Sequence, residues 1–74
     1  MPRINKDPIN QLNNLAQQKG IKINPQFSSS GTQNNEEWTV DIEFDGTNYT
    51  GKGSSKPEAK KVAAIKILKD HGYT

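Results

Sequence analysis

Four lysines gather around the start of a predicted helix near the carboxyl end of the chain. Ser55 begins this helix, so its first backbone N–H groups and its dipole favour an anion placed there. Lys56 and Lys60 are four residues apart and share a helix face, with Lys52 just upstream and Lys61 adjacent. Ammonium groups at such a position favour phosphate, and a backbone phosphate looks the same in any nucleotide sequence. The pattern predicts a phosphate-binding site that carries affinity without base specificity.

The other chemistry-bearing residues do not form a catalytic or metal-binding set. Asp41 and Glu43 are neighbouring carboxylates on a predicted strand, but the solvated face of that strand favours solubility over acid-base work. Residues 46–53 have the spacing of a phosphate loop, but Gly53 stands where a magnesium-binding hydroxyl belongs. Zero cysteines and one histidine, His71, leave no ligand cluster for a metal. We therefore predict no catalytic residue, no metal, no cofactor and no enzyme.

The chain is short, and its charges are unevenly distributed. With 74 residues and 30% hydrophobic residues, it has room for one small domain with a thin core. The formal charge is only +2, but residues 36–45 hold five acids and no base. Residues 52–69 hold six lysines and one acid. This polarity is expected of a polyanion-binding protein; the alternative is that the lysines only solvate the outer face of a helix.

The amino-terminal residues do not resemble a targeting segment. We expect residues 1–6 to form a flexible leader and residues 7–74 to form the domain. No basic-then-apolar leader opens the chain, and no apolar run approaches the roughly 20 residues of a membrane span. The sequence therefore predicts an intracellular protein, cytoplasmic or nuclear, without a membrane partner.

The first predicted helix carries a stripe of amides. Asp7 supplies an N-cap, Pro8 a first helical residue and Gly20 a stop. The apolar residues between them recur at helical spacing and predict a buried face. The opposite side is almost wholly amide, at spacings of three and four residues: Asn10, Asn13, Asn14 and Gln17.

Three strands are predicted in the middle of the chain. Gln26 and Phe27 begin a short edge strand, and residues 28–35 have the composition of a polar loop. Residues 38–44 alternate apolar with polar side chains, which predicts a strand with one buried face and Trp38 in the core. Asp45-Gly46 is typical of a tight hairpin turn, so residues 47–50 return as the next strand.

The second predicted helix runs from Ser55 to Gly72. Ser55 and Glu58 have the spacing of a capping box. An apolar stripe follows along the helix: Ala59, Val62, Ala63, Ile67 and Leu68. The order α-β-β-β-α leaves one sheet face apolar and two amphipathic helices to cover it. We predict an α+β two-layer sandwich in which both helices pack on one face of a three-stranded antiparallel sheet.

Residues 51–64, GKGSSKPEAKKVAA, resemble the glycine-x-glycine-x-serine-lysine-lysine-x-alanine-lysine signature and alanine pair of the double-stranded RNA-binding domain family. The resemblance covers the chain from Asp7 to Gly72, and the order of elements agrees. It implies a non-catalytic module that recognises the A-form shape of double-stranded RNA over roughly 16 base pairs, through 2′-hydroxyls and phosphates.

The resemblance also implies three contact regions. The second helix would place Lys56 and Lys60 on phosphates across a major groove, with Pro57 standing where the family has a further lysine. The first helix would place its amides in one minor groove. The loop after the first strand would enter the next minor groove. The residues expected to bind RNA are Asn10, Asn13, Asn14, Gly31, Thr32, Gln33, Asn34, Lys52, Ser55, Lys56, Lys60 and Lys61.

Two other functions remain open at this stage. A protein-interaction module with the same fold would bind another protein, or a second copy of the chain, through the exposed sheet face or the second helix. Pro57 favours this alternative, and so does the stretch from Pro25 to Trp38, which is a few residues shorter than is usual in the family. A binder of single-stranded RNA requires exposed aromatic side chains. Only Tyr73 is left outside the predicted core, so this class ranks last.

Overall fold

Two helices and a three-stranded antiparallel sheet make up the computed structural model, which describes residues 2–32 and 35–74. The elements in chain order are α1 (Pro8–Lys19), β1 (Gln26–Thr32), β2 (Asn35–Phe44), β3 (Thr47–Gly53) and α2 (Lys56–Asp70). The sheet order is β1-β2-β3, and α2 packs on β3 and β2 while α1 packs beside α2. The predicted two-layer α-β-β-β-α sandwich is confirmed.

Strand β2 is the centre of the sheet and supplies its apolar face. Val40, Ile42 and Phe44 are fully buried, whereas the residues between them are exposed. This is the period-two burial of a strand with one face on a core. At the β2–β3 turn, Asp45 has φ 53° and Gly46 has φ 82°, the positive angles that a two-residue hairpin turn requires. The alternation and the turn were both predicted correctly.

One core joins the two helices to β2. Its buried members are Leu12, Leu15, Ala16, Val40, Ile42, Phe44, Ala59, Ala63, Ala64, Ile67 and Leu68. The expectation that Val62 belongs to this core is wrong, because 37% of its surface is exposed, while Ala64 is fully buried. Successive helix residues are about 100° apart, so Val62 lies at the edge of the stripe that Ala59 and Ala63 define.

Strand β1 is longer than the sequence predicts. Residues 28–32 were expected in a polar loop, but they pair with β2 as far as Thr32 opposite Asn35. Backbone hydrogen bonds do not depend on apolar side chains, so an edge strand of serines pairs without a hydrophobic signal. Gly31 and Thr32 therefore lie in β1 and not in the predicted loop, and Gly31 has φ 109°, which favours glycine. Gln33 and Asn34 lie outside the described residues.

Helix α1 begins and ends where the sequence predicts, whereas α2 begins as predicted but ends two residues before the predicted Gly72. The Asp7 side chain accepts a hydrogen bond from Asn10 N at 3.1 Å, and Gly20 closes α1 in the left-handed conformation with φ 69°. Helix α2 ends at Asp70, with His71 as its C-cap. The His71 Nδ1 lies 2.9 Å from the Ile67 carbonyl oxygen. Neither helix in the described part of the chain has the length and apolar content of a membrane span.

The segment before α1 is hydrogen-bonded to the rest of the fold. Ile4 N donates to Thr74 O at 2.8 Å, and Thr74 N donates to Pro2 O at 2.9 Å. The Gln11 side chain donates to Arg3 O at 2.6 Å and accepts from the Asn5 backbone N–H at 2.9 Å. Residues 2–5, expected to belong to a flexible leader, thus contact both α1 and the last residue.

Replacing Gln11 with alanine removes both of these side-chain hydrogen bonds. We expect it to lower the free energy of unfolding by about 1–2 kcal/mol, since each neutral hydrogen bond contributes about 1 kcal/mol. We also expect faster hydrogen exchange at the amides of Ile4 and Thr74. Gln18→Ala, on the exposed side of the same helix, is the matched control. Equal stability of the two variants would show that the amino-terminal segment does not stabilise the domain.

Candidate nucleic-acid interface

Helix α2 begins at a reciprocal set of hydrogen bonds. Glu58 N donates to Ser55 Oγ at 3.3 Å, which is the first half of the predicted capping box. The Glu58 carboxylate accepts from the backbone N–H of Ser54 at 3.1 Å and from the Ser54 hydroxyl, so the second half reaches one residue further back than predicted. The Ser54 donors hold the pKa of Glu58 below its usual value of 4.5. The start of the helix is therefore fixed by two serines and one carboxylate.

The contribution of Glu58 to the stability of the fold depends on pH. Because the folded-state pKa of Glu58 is lowered, its ionisation stabilises the fold above the unfolded-state pKa of 4.5, and that contribution disappears as the pH falls through the folded-state value. We expect Glu58→Gln to be less stable than the unmodified chain at neutral pH, with the difference shrinking in acid. Urea titrations at pH 7, 5 and 3 measure this. A difference that stays constant over the three values would contradict the assignment, and Ser54→Ala should show the same trend as Glu58→Gln.

Two glycines of β3 allow α2 to lie close to the sheet. A Cβ atom built on Gly51 would lie 2.6 Å from Ala63 N and 2.9 Å from Ala63 Cβ. One built on Gly53 would lie 2.7 Å from Ala59 N. No side chain fits at either position without displacing the helix backbone. The glycines of the predicted signature thus set how the first turns of α2 sit on the strand.

The structure divides the four predicted lysines into two sets. Lys56 and Lys60 lie on the side of α2 that, further along, buries Ala63 and Ile67, and Lys60 is half-buried. Lys61 is about 100° further round the helix. Together with Lys52 it lines a groove of about 310 Å³, whose other lining residues are Gly53, Glu58, Val62 and Ile65. Lys56 and Lys60 therefore share one surface, and Lys52 and Lys61 share another.

The Lys56 ammonium lies over two aromatic rings. Its Nζ is 5.1 Å from the centroid of the Trp38 ring and 5.8 Å from that of the Phe27 ring. Both distances are within the range of a cation–π interaction. Trp38 is half-buried and packs against the core, as predicted. The expectation that Tyr73 alone lies outside the core is wrong, because Tyr73 packs against it and Phe27 is 37% exposed.

The amide side chains of α1 lie together. Asn10, Asn13 and Asn14 are exposed and line a second groove, of about 410 Å³. The other lining residues are Ala16, Gln17, Ile21 and Ile23. Gln17 was part of the predicted amide stripe but not of the predicted site, although its spacing of three and four residues from Asn14 and Asn13 places it on the same face. The groove offers donors and acceptors to a polar ligand.

Two carboxylates of β2 lie on the face of the sheet opposite the helices. Asp41 and Glu43 are exposed and alternate with the buried residues of β2, so they face away from the helices. Asp41 Oδ1 accepts from Thr50 Oγ1 at 2.8 Å, and Lys66 Nζ donates to Thr50 O at 2.7 Å at the edge of β3. Within the described ranges, no three His, Cys, Asp or Glu side chains are grouped as metal ligands would be.

An α-β-β-β-α sandwich with lysines at the start of its last helix and amides on its first defines a nucleic-acid-binding module. A family model described as double-stranded RNA binding motif matches residues 8–71. This chain belongs to that family of double-stranded RNA-binding domains. The predicted resemblance is confirmed.

Similar proteins include larger ones that contain such a domain. Ribonuclease 3 of Chloroflexus aurantiacus is 36% identical over 77 residues, covering 96% of this chain. The interferon-inducible double-stranded RNA-dependent protein kinase activator A homolog B of Xenopus laevis is 35% identical over 69 residues, covering 89% of this chain. The chain spans only 31% and 23% of the lengths of these two proteins.

The fold of this chain also superposes on solved structures of similar domains. The solution structure of both double-stranded RNA-binding domains of DRB4 superposes with a TM-score of 0.73 at 23% identity, covering 92% of this chain and 46% of that one. The structure of the second DRB4 domain alone superposes with a TM-score of 0.64 at 22% identity, covering 86% of this chain and 94% of that one. At 23% and 22% identity, the similarity to these two structures shows only that the fold is shared.

Proposed function

We propose that this chain is a non-catalytic module that binds double-stranded RNA by its A-form shape. The observation that carries the proposal is the placement of Lys56 and Lys60 on one face at the capped start of α2. Ser55 caps that helix end, and the helix dipole adds to the attraction for a phosphate. Phosphates are read without regard to sequence, so binding by these groups is largely sequence-independent.

The roles of the other groups follow from their chemistry. The amides of α1, Asn10, Asn13 and Asn14, donate to and accept from 2′-hydroxyls in a minor groove. The second minor groove is assigned to Gly31 and Thr32, at the end of β1, together with Gln33 and Asn34, which lie outside the described residues. Two minor grooves and the major groove between them span roughly 16 base pairs.

Lys52 and Lys61 hold a secondary place in this proposal. They lie in the other groove of α2, which Glu58 also lines. They raise the positive potential near the duplex without donating to its phosphates.

We further propose that the chain performs no catalysis itself and acts inside the cell, in cytoplasm or nucleus.

A competition titration tests the proposed function. A labelled RNA duplex of about 20 base pairs is displaced by duplex RNA, duplex DNA or single-stranded RNA at several salt concentrations. We expect the RNA duplex to compete best, because A-form geometry and 2′-hydroxyls are what the module recognises. Equal competition by duplex DNA would reduce the function to binding of any polyanion, and better competition by the single strand would overturn it.

A protein-interaction module is the second candidate, and one surface favours it. Val62 is 37% exposed, and it lines the groove of α2 and β3 together with Ile65 and Lys52. A protein partner seated in this groove would bury the exposed apolar surface of Val62, which is favourable. Negligible affinity for duplex RNA at moderate salt, with a mass above that of the monomer in light scattering, would select this candidate.

A further inference from the structure

Phe27, Trp38 and Lys56 come together from three different elements. Phe27 lies opposite Val40 in the β1–β2 register, and Val40 is a buried residue of the helix-covered face, so Phe27 lies on that face too. Trp38 is two residues before Val40 and therefore also faces the helices. Neighbouring β-strands place such diagonal residues within reach of one another when they are aromatic. Lys56 is the first residue of α2, and Trp38 is paired with Gly53, three residues before it.

The two rings are in different environments. Trp38 is half-buried and packs against the core, whereas Phe27 is exposed at the edge of the sheet. The Lys56 ammonium is exposed and lies 5.1 Å and 5.8 Å from their ring centroids. Packing accounts for the buried part of the Phe27 ring, and the Lys56 ammonium lies over the same ring. The contact with Lys56 thus gives the exposed part of the ring a partner.

We propose that Phe27 and Trp38 are positioning residues that hold the Lys56 ammonium at the point where the duplex RNA phosphate binds. This inference rests on the proposed function. A free lysine loses much rotamer freedom when it binds, and a side chain already held over a ring loses less. The ammonium has three donors, so contact with the ring faces leaves N–H groups directed at solvent for a phosphate.

A double-mutant cycle tests this inference. Phe27→Leu removes a ring at an exposed position and is expected to keep the fold. It should weaken binding of a 20-base-pair RNA duplex about twofold to fivefold, the range of an exposed cation–π interaction. In a Lys56→Ala background the same replacement should have no effect, because the group it positions is gone. In a Lys60→Ala background it should keep its full effect, which makes that background the matched control.

A second measurement reports the position of the lysine without RNA. The ε-methylene protons of Lys56 should resonate upfield of those of Lys69 because they lie over ring faces. Phe27→Leu should reduce this shift, and Trp38→Phe, which retains a ring, should preserve most of it. Upfield-shifted Lys56 protons together with coupling confined to the Lys56 backgrounds establish the inference.

The contrary outcomes separate the inference from the proposed function. If Phe27→Leu weakens binding equally in the Lys56→Ala background, Phe27 acts on the fold or on RNA directly, and the inference is wrong. If Phe27→Leu strengthens binding, the rings compete with the phosphate for the ammonium, and the inference is again wrong. In both cases the duplex still binds, so the proposed function stands. Failure of the unmodified chain to bind duplex RNA overturns both.

Discussion

Replacing Gly51 with valine is expected to remove a large share of the free energy of unfolding of the domain. The new side chain would meet backbone atoms of Ala59 and Ala63, which cannot move without lifting α2 off β3. Overpacking of a tight core costs about 1–3 kcal/mol, and contact with backbone places this variant at or above the upper value. A domain of 74 residues has a total stability of about 4–11 kcal/mol, so the loss is a large share of it. Thermal and urea unfolding measure the change.

The matched control for this variant introduces the same residue on the other face of the strand. Asn48 lies on β3, three residues before Gly51, and is exposed. Asn48→Val should leave stability within about 0.5 kcal/mol, since exposed substitutions rarely exceed that value and valine favours a strand. Similar melting temperatures for the two variants would show that α2 does not depend on the glycine for its approach to the sheet.

Removing both lysines of the shared α2 surface is expected to weaken binding of duplex RNA by about tenfold to a hundredfold. In the proposed mode of binding each contributes a charge-assisted contact to a phosphate, and contacts of this kind are worth about 1.5–3 kcal/mol before solvent exposure reduces them. In Lys56→Ala/Lys60→Ala, the slope of log affinity against log salt should fall by nearly two charges, by analogy with about 0.9 for each phosphate contact on B-form DNA. The loss should be the same for duplexes of different sequence.

Lysines elsewhere provide controls of equal charge. Lys19 and Lys69 lie in the last turns of α1 and α2, and Lys69 is about 20 Å along the helix axis from Lys56. Lys19→Ala/Lys69→Ala should reduce affinity several-fold less than Lys56→Ala/Lys60→Ala. Lys61→Ala should also cost less than Lys60→Ala, because Lys61 lies in the other groove of α2, about 100° round the helix from Lys60. If all these variants lose affinity equally, net charge alone governs binding and the α2 surface has no special role.

The fold was predictable where local signals and periodicity agreed. The Asp7-Pro8 start and Gly20 stop predicted α1, and the alternation from Trp38 to Phe44 predicted most of β2, because each signal is contained in a few residues. Strand β1 carried such a signal only at its start, Gln26 and Phe27, and not in residues 28–32. Its serines pair with β2 through backbone groups, and a pairing of this kind depends on the partner strand and not on the serines themselves.

The candidate site was predictable by residue type but not by arrangement. The spacing of Lys56 and Lys60 placed them on one face, as the helix requires. It did not reveal that Lys61 and Lys52 line a different groove, because that depends on how Gly51 seats α2 against β3. The cation–π contact of Lys56 with Trp38 and Phe27 joins residues up to 29 positions apart, which no local pattern reports.

Recognition of duplex RNA by its shape requires one duplex to contact both helices at once. An NMR titration of the isotope-labelled chain with an RNA duplex of about 20 base pairs tests this directly, through the side-chain amides of Asn13 and Asn14 and the ε-methylenes of Lys56 and Lys60. We predict that both groups of signals shift with the same apparent affinity, while the outer sheet face, including Glu43, does not respond. Shifts confined to the groove of Val62 and Ile65, or different affinities for the amides and the lysines, would contradict the account.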